Sequence, residues 1–175
     1  DGPIGVFYLV KNGDTDLNVF LRISEDEGQT FGEPIPVTDR PGYHVMNNDR
    51  VTLLESGRLL CPVSFTLDQT KENHYRSMCF YSDDGGQHWQ AGQGEVDLPK
   101  RGAMEPEVIE LKDGRVLMIV RSQLGRIYAA RSSDGGDTWS AAEAWGPPAP
   151  EAPSTLRRIP STGDLVLVWN NNVDT

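Results

Sequence analysis

Ser82-Asp83-Asp84-Gly85-Gly86-Gln87-His88-Trp89 is the stretch on which the reading of this chain turns. Its pattern, Ser-x-Asp-x-Gly-x-(Thr/His)-aromatic, occurs twice more: as Ser24, Asp26, Gly28, Thr30, Phe31, and as Ser132, Asp134, Gly136, Thr138, Trp139. The three aspartates stand 58 and 50 residues apart. A second marker keeps step with the first. The turn dipeptides Ser56-Gly57, Asp113-Gly114 and Thr162-Gly163 each lie between two apolar runs, with glycines 57 and 49 residues apart, and Asp1-Gly2 fits the same series. Two independent markers with one period mean that a single supersecondary unit repeats along the chain.

Each box reads as a tight turn. Short Ser and Asp side chains accept hydrogen bonds from turn amides, and Gly28, Gly86 and Gly136 suit a backbone that needs positive φ. Phe31, Trp89 and Trp139 are expected beneath the turns as core anchors. An acidic loop can also hold a metal. Boxes that recur once per repeat cannot converge on one site, however, so they are read as structural, with no metal.

Between the markers lie short strands. Arg50–Glu55 and Arg58–Phe65 flank one turn, and Tyr75–Ser82 leads into a box with a short strand after Trp89. The next repeat reads Glu107–Leu111, Arg115–Arg121, Arg126–Ser132, box, strand. Val116-Leu117-Met118-Ile119-Val120 is apolar on both faces, as a strand buried on both sides must be. Four antiparallel strands per repeat describe a β-propeller. The expected fold is all-β, a partial propeller of about three and a half blades: a blade fragment over residues 1–40, blades over 41–100 and 101–148, and a second fragment over 149–175. Propellers close with about 4–8 blades, so the chain is expected to be an internal stretch, or to complete its ring with another copy. An unclosed end exposes a sheet edge, so the chain alone is expected to be a homo-oligomer or poorly soluble.

Net charge is −10 with no Lys/Arg cluster, which argues against nucleic acid as a partner and against an anionic membrane surface. It leaves anionic sugars open, since a few focused arginines dominate a local field. Cys61 and Cys79 read as buried free thiols, although a disulfide between neighbouring strands stays open. His44 and His88 read as loop and box residues, and three scattered histidines lack zinc spacing. No Gly-rich phosphate loop or Ser/His/Asp signature appears, so no cofactor is expected.

Boxes of this kind on four-stranded repeats resemble the sialidase (neuraminidase) superfamily, whose members share six blades around a central pocket. The resemblance sharpens over Glu105-Pro-Glu-Val-Ile-Glu-Leu-Lys-Asp-Gly-Arg-Val-Leu-Met-Ile-Val-Arg121. It implies that Arg121 is one of three arginines holding the sialic acid carboxylate, through the bidentate geometry guanidinium groups offer. It implies that Glu105 is the base activating a tyrosine nucleophile. The remaining arginines, the acid/base Asp and the Tyr are expected outside this stretch, so the chain alone is expected not to turn over a sialoside. Independently of the resemblance, the turn at Asp113-Gly114 brings Glu105 and Arg121 together at one rim, opposite the boxes. A structural ion pair is the plainer reading of the two, and Glu107, two residues on, complicates the choice. Asn48, Asp49 and Arg50 open an inner strand as Glu105 does, and read either as glycan contacts or as strand caps. Ser154 opens the next, and the loop from Thr66 to Asn73 reads as a lid. The expected function is an exo-α-sialidase-type glycoside hydrolase acting on sialylated glycans or another acidic sugar. The alternative is a non-catalytic propeller that binds glycans or proteins.

Overall fold

The computed structural model describes residues 2–172, so Asp1 of the Asp1-Gly2 pair lies outside the described residues. Every described element is a strand. The first blade holds β1 (Ile4–Gly13), β2 (Asp16–Ser24) and β3 (Ile35–Pro36). The second follows with β4 (Gly42–Val45), β5 (Thr52–Leu53), β6 (Leu59–Thr66), β7 (Arg76–Ser82) and β8 (Gln90–Ala91). The third is β9 (Met104–Glu110), β10 (Val116–Arg121), β11 (Arg126–Ser132) and β12 (Glu143–Pro148), in the order β12-β11-β10-β9. A two-stranded sheet of β13 (Thr155–Arg158) and β14 (Leu165–Val168) ends the series. The chain is therefore a partial β-propeller.

One feature departs from separate blades. The first two share one eight-stranded sheet, because β4 runs parallel to β2 (Asp16↔Gly42, Leu17↔Tyr43) while pairing antiparallel with β6. This short bridge carries His44, which is a fully buried strand residue rather than a loop residue. Its ring stacks on Phe65 and meets Phe80 edge-on, both at 5.8 Å between centroids. Burial pushes the His44 imidazole from 6.5 down to about 4. A folded value below the unfolded one means that stability is complete above about pH 6.5 and is lost as pH falls towards 4. Tm is expected to fall as pH is lowered across that window, and His44→Phe to flatten the dependence. An unchanged slope in the variant would assign the acid sensitivity to other groups.

Apolar residues alternate between the two faces of each sheet and fill the gaps between blades. Cys61, Val63 and Phe65 of β6 pack with Val19 and Leu21 of the first blade. Leu60 and Cys79 turn the other way, onto Val108, Val116, Met118 and Val120. Leu117 and Ile119 face Leu156 of β13. Thus all five residues of the Val116–Val120 run are buried, each such side chain contributing about 1.5–3 kcal/mol. Cys61 and Cys79 are free and buried. At the two ends of the series Ile4, Val6 and Leu9 of β1, and Val166 and Val168 of β14, are exposed.

The box turns close on themselves. In the second box Ser82 Oγ donates to Asp84 at 2.8 Å and accepts from Gly86 N at 2.9 Å, while Asp84 accepts from His88 N at 2.9 Å. The first and third boxes repeat this with Thr30 and Thr138. Hydrogen bonds from Thr30 and Ser24 pull Asp26 down to about 2. Gly86 and Gly136 lie against the preceding blade: a Cβ there would come 2.8 Å from Leu21 and 2.9 Å from Leu60. Trp89 and Trp139 pack at the edges of the core clusters. Phe31 does not, being 39% exposed. A Cβ at Gly28 would meet only Ile4 of its own hairpin among the described residues, at 3.9 Å, so no leucine lies against that box glycine.

Candidate functional site

Inner strands begin at one rim, opposite the boxes, and backbone strain gathers there. Among the described residues four non-glycines have positive φ, and three are at this rim: Asp49 (58°), Lys100 (64°) and Glu105 (46°). The fourth, Glu27, stands in the first box where the others carry Gly85 and Gly135. Such conformations cost roughly 1–3 kcal/mol each and cluster at sites that bind or react.

Glu105 owes its orientation to a β-bulge. β9 and β10 pair Ile119 with Glu107 but Arg121 with Met104, so the register slips by one residue at Glu105-Pro106. A residue before proline favours extended backbone; Glu105 has φ 46° instead. The slip breaks the alternation of side chains. Glu105 and Glu107, two residues apart, therefore do not share surroundings. The Glu105 side chain is 20% exposed, and its Oε2 accepts from Arg121 Nη1 at 2.9 Å. Glu107 is 1% exposed and turned into the protein.

The second edge of Arg121 meets another carboxylate, Glu151, at 3.3 Å from Nη2. Glu151 lies in the loop before β13 and also pairs with Arg101, from the loop before β9. Gln123 Nε2 donates to Glu151 Oε2 at 2.8 Å, and Lys100 Nζ donates to the Gln123 carbonyl at 2.9 Å. Arg101 reaches back to Asn73 Oδ1 at 2.9 Å. Lys100, Arg101 and Arg121 outnumber Glu105 and Glu151, so this patch is cationic on a chain of net charge −10. A local excess of this kind attracts an anionic ligand, and a partly exposed guanidinium suits a carboxylate.

Deeper in the rim lies a second charged group. The Asn47–Arg50 stretch is looped out between β4, which pairs with Ser64–Thr66, and β5, which pairs with Leu59–Leu60. Asn48 and Asp49 are exposed there, whereas Arg50 is 5% exposed and pairs with Glu107. Arg50 also donates to the Ser154 carbonyl at 3.1 Å. Arg50, read from the sequence as a candidate ligand contact, is thus directed inward. Glu107 pairs with Arg157 as well and accepts from Leu156 N at 3.0 Å. Arg157 holds Asp49 through Oδ2 at 2.9 Å. One buried carboxylate therefore joins the inner strands of three blades. Burial, with Arg157 beside it, lowers the Arg50 pKa from its ordinary value. A groove of about 530 Å³ along these inner strands is lined by Asp49, Thr52, Glu110, Lys112 and Arg157.

The loop after β6 is pinned rather than free: Gln69 Nε2 donates to Asp14 Oδ1 at 2.6 Å, across to the first blade. His74 is fixed between the Lys100 carbonyl and Asp97, at 2.7 and 2.8 Å. The sequence reading does not single out Glu151, Arg101 or Gln123. A signal for two of them existed, since Arg101 and Glu151 each precede an inner strand by a few residues, as Glu105 opens one.

Comparison with known proteins agrees with this architecture. The family described as BNR repeat-like domain matches residues 1–174. A sialidase of Clostridium perfringens is 30% identical over 137 residues, covering 71% of this chain and 35% of the relative. The chain thus spans about a third of that relative's length. A Dyadobacter fermentans protein of unknown function superposes with a TM-score of 0.70 at 24% identity, over 91% of this chain and 46% of the other. The Hadza microbial sialidase Hz136 gives a TM-score of 0.67 at 21% identity, over 86% of this chain and 30% of the other. Three in-phase boxes, blades packed face to face and a family match along almost the whole chain place it in the BNR repeat-like domain family of the sialidase superfamily.

Proposed function

We propose that this protein serves a sialidase-type glycoside hydrolase reaction, the release of terminal sialic acids from glycans, and that the rim of this chain receives the sugar's carboxylate. The observation that carries the reading is the Arg121–Glu105 pair, 2.9 Å apart at the rim, with Glu105 held there by a strained bulge. Arg121 offers the fork that a carboxylate accepts. Glu105 supplies a carboxylate beside it, in the role of the base for a tyrosine nucleophile; a carboxylate nucleophile would be repelled by the substrate's own charge. The cationic excess around Lys100 and Arg101 supports an acidic sugar over a neutral one. The exposed apolar strands β1 and β14 remain the reason to expect self-association of the chain by itself.

The test is a titration of N-acetylneuraminic acid, or its 2,3-didehydro analogue, by protein NMR. Binding is expected to perturb Arg121 and its neighbours, and Arg121→Met to weaken affinity at least about tenfold, as loss of a charged hydrogen bond does. Equal affinity in the variant would overturn the reading. For a form of the protein that turns over a fluorogenic sialoside, Glu105→Gln is expected to remove turnover while leaving binding. Sugar binding with no turnover in any form would favour the non-catalytic scaffold.

A further inference from the structure

Arg121 is held at both ends. Its Nη1 donates to Glu105 at 2.9 Å, and its Nη2 faces Glu151 at 3.3 Å. Nε is buried and has no hydrogen-bond partner among the described residues. With only one of these carboxylates, the guanidinium plane would be free to turn about the Cδ–Nε bond. Two carboxylates on opposite nitrogens fix that plane. Glu105 comes from the same hairpin as Arg121, whereas Glu151 comes from the loop that opens the next blade, and it is itself braced by Arg101 and Gln123. Desolvation raises the Glu151 pKa, but the Gln123 hydrogen bond together with Arg101 and Arg121 outweighs it, so the net shift is downward. The group is therefore ionised at neutral pH.

We infer that Glu151 is a positioning residue for Arg121: it clamps the free edge of the guanidinium from the neighbouring blade and sets the angle at which the substrate carboxylate is met. The inference rests on the reading of Arg121 as the substrate-binding arginine. It adds a dependence on the loop before β13, so that movement between the last two sheets changes affinity without touching the sugar. Glu151 acts through Arg121 and is not itself a substrate contact.

The experiment reads two quantities in Glu151→Ala and Glu151→Gln. One is the Arg121 Nε–Hε order parameter by 15N relaxation, a measure of fast side-chain motion. The other is the affinity for the 2,3-didehydro sialic acid analogue. Glu151→Ala is expected to lower the order parameter clearly and to weaken binding about tenfold, the scale of one charge-assisted hydrogen bond. Glu151→Gln, which keeps the volume and one acceptor, is expected to fall between it and the unaltered protein. Tm is expected to move little in both, because the pair is partly exposed and water screens such pairs. If Arg121→Met abolishes binding but Glu151→Ala changes neither the order parameter nor the affinity, the positioning role is wrong and the sialidase reading stands. If Arg121→Met leaves affinity unchanged, the sialidase reading fails, and the order parameter still decides whether Glu151 clamps Arg121. An intact order parameter in Glu151→Ala overturns the inference in either case.

Discussion

Replacing Glu107 with alanine is expected to destabilise the protein by roughly 3–5 kcal/mol, the cost of removing one partner from a buried ion pair. The carboxylate is 1% exposed and answers two guanidinium groups and one backbone amide: Arg50 from the second blade, and Arg157 and Leu156 N from the last sheet. Removing it leaves Arg50 charged and 5% exposed, with Leu156 N unpaired. At about 2–4 °C per kcal/mol for a chain of this size, Tm should fall by roughly 6–20 °C. The double variant Glu107→Leu with Arg50→Met removes both buried charges and is expected to recover most of the loss, since apolar replacement of a buried pair is often neutral. Thermal unfolding checks both. A loss below about 1 kcal/mol in Glu107→Ala would mean that Glu107 does not pin the three inner strands together.

Gly102→Ala is expected to be comparably severe, for a backbone reason. Gly102 has φ 80°, and its path forms a parallel bridge with Tyr75. A Cβ would fall well inside 3.0 Å of the Tyr75 carbonyl oxygen, closer than any real contact of that kind. That oxygen accepts from Ala103 N at 2.9 Å, and Tyr75 N donates to the Arg101 carbonyl at 2.9 Å. Relieving the clash breaks one or both bonds and adds the left-handed penalty, together roughly 3–5 kcal/mol. Arg101 and Glu105 would be displaced with the loop, so binding at the rim should be lost along with stability. Gly114→Ala is the control. Its φ is 81° but nothing lies within 4 Å of its would-be Cβ, so it should cost only about 1 kcal/mol. Equal effects at the two glycines would show that the close approach to Tyr75 is not what matters.

The parts of this molecule that depend on local chemistry were legible in advance. A box closes on its own Ser, Asp and amides within a few residues, so its presence in the sequence is enough to place a turn. Val116–Val120 is buried on both faces because a strand's period of two places its neighbours on opposite blades. Glu105 and Arg121 meet because one hairpin, turning at Asp113-Gly114, brings the two strand ends together. Phe31 shows the limit of the local argument: the same motif packs its aromatic against a core cluster in the second and third boxes, and not in the first, where no neighbouring leucine lies against the box glycine.

What the residues determined by themselves is the repeating unit, the strand order within it and the pairing of Glu105 with Arg121. The tertiary structure alone decided that Glu107 faces the interior while Glu105 stays at the rim, because a one-residue bulge breaks the alternation between them. It also decided that Arg50 turns inward to Glu107, and that Glu151, held by Arg101, closes on Arg121. Those contacts join residues 30 to 57 apart in sequence. They arise from the way stacked blades curve around an axis, a geometry that no spacing along the chain encodes.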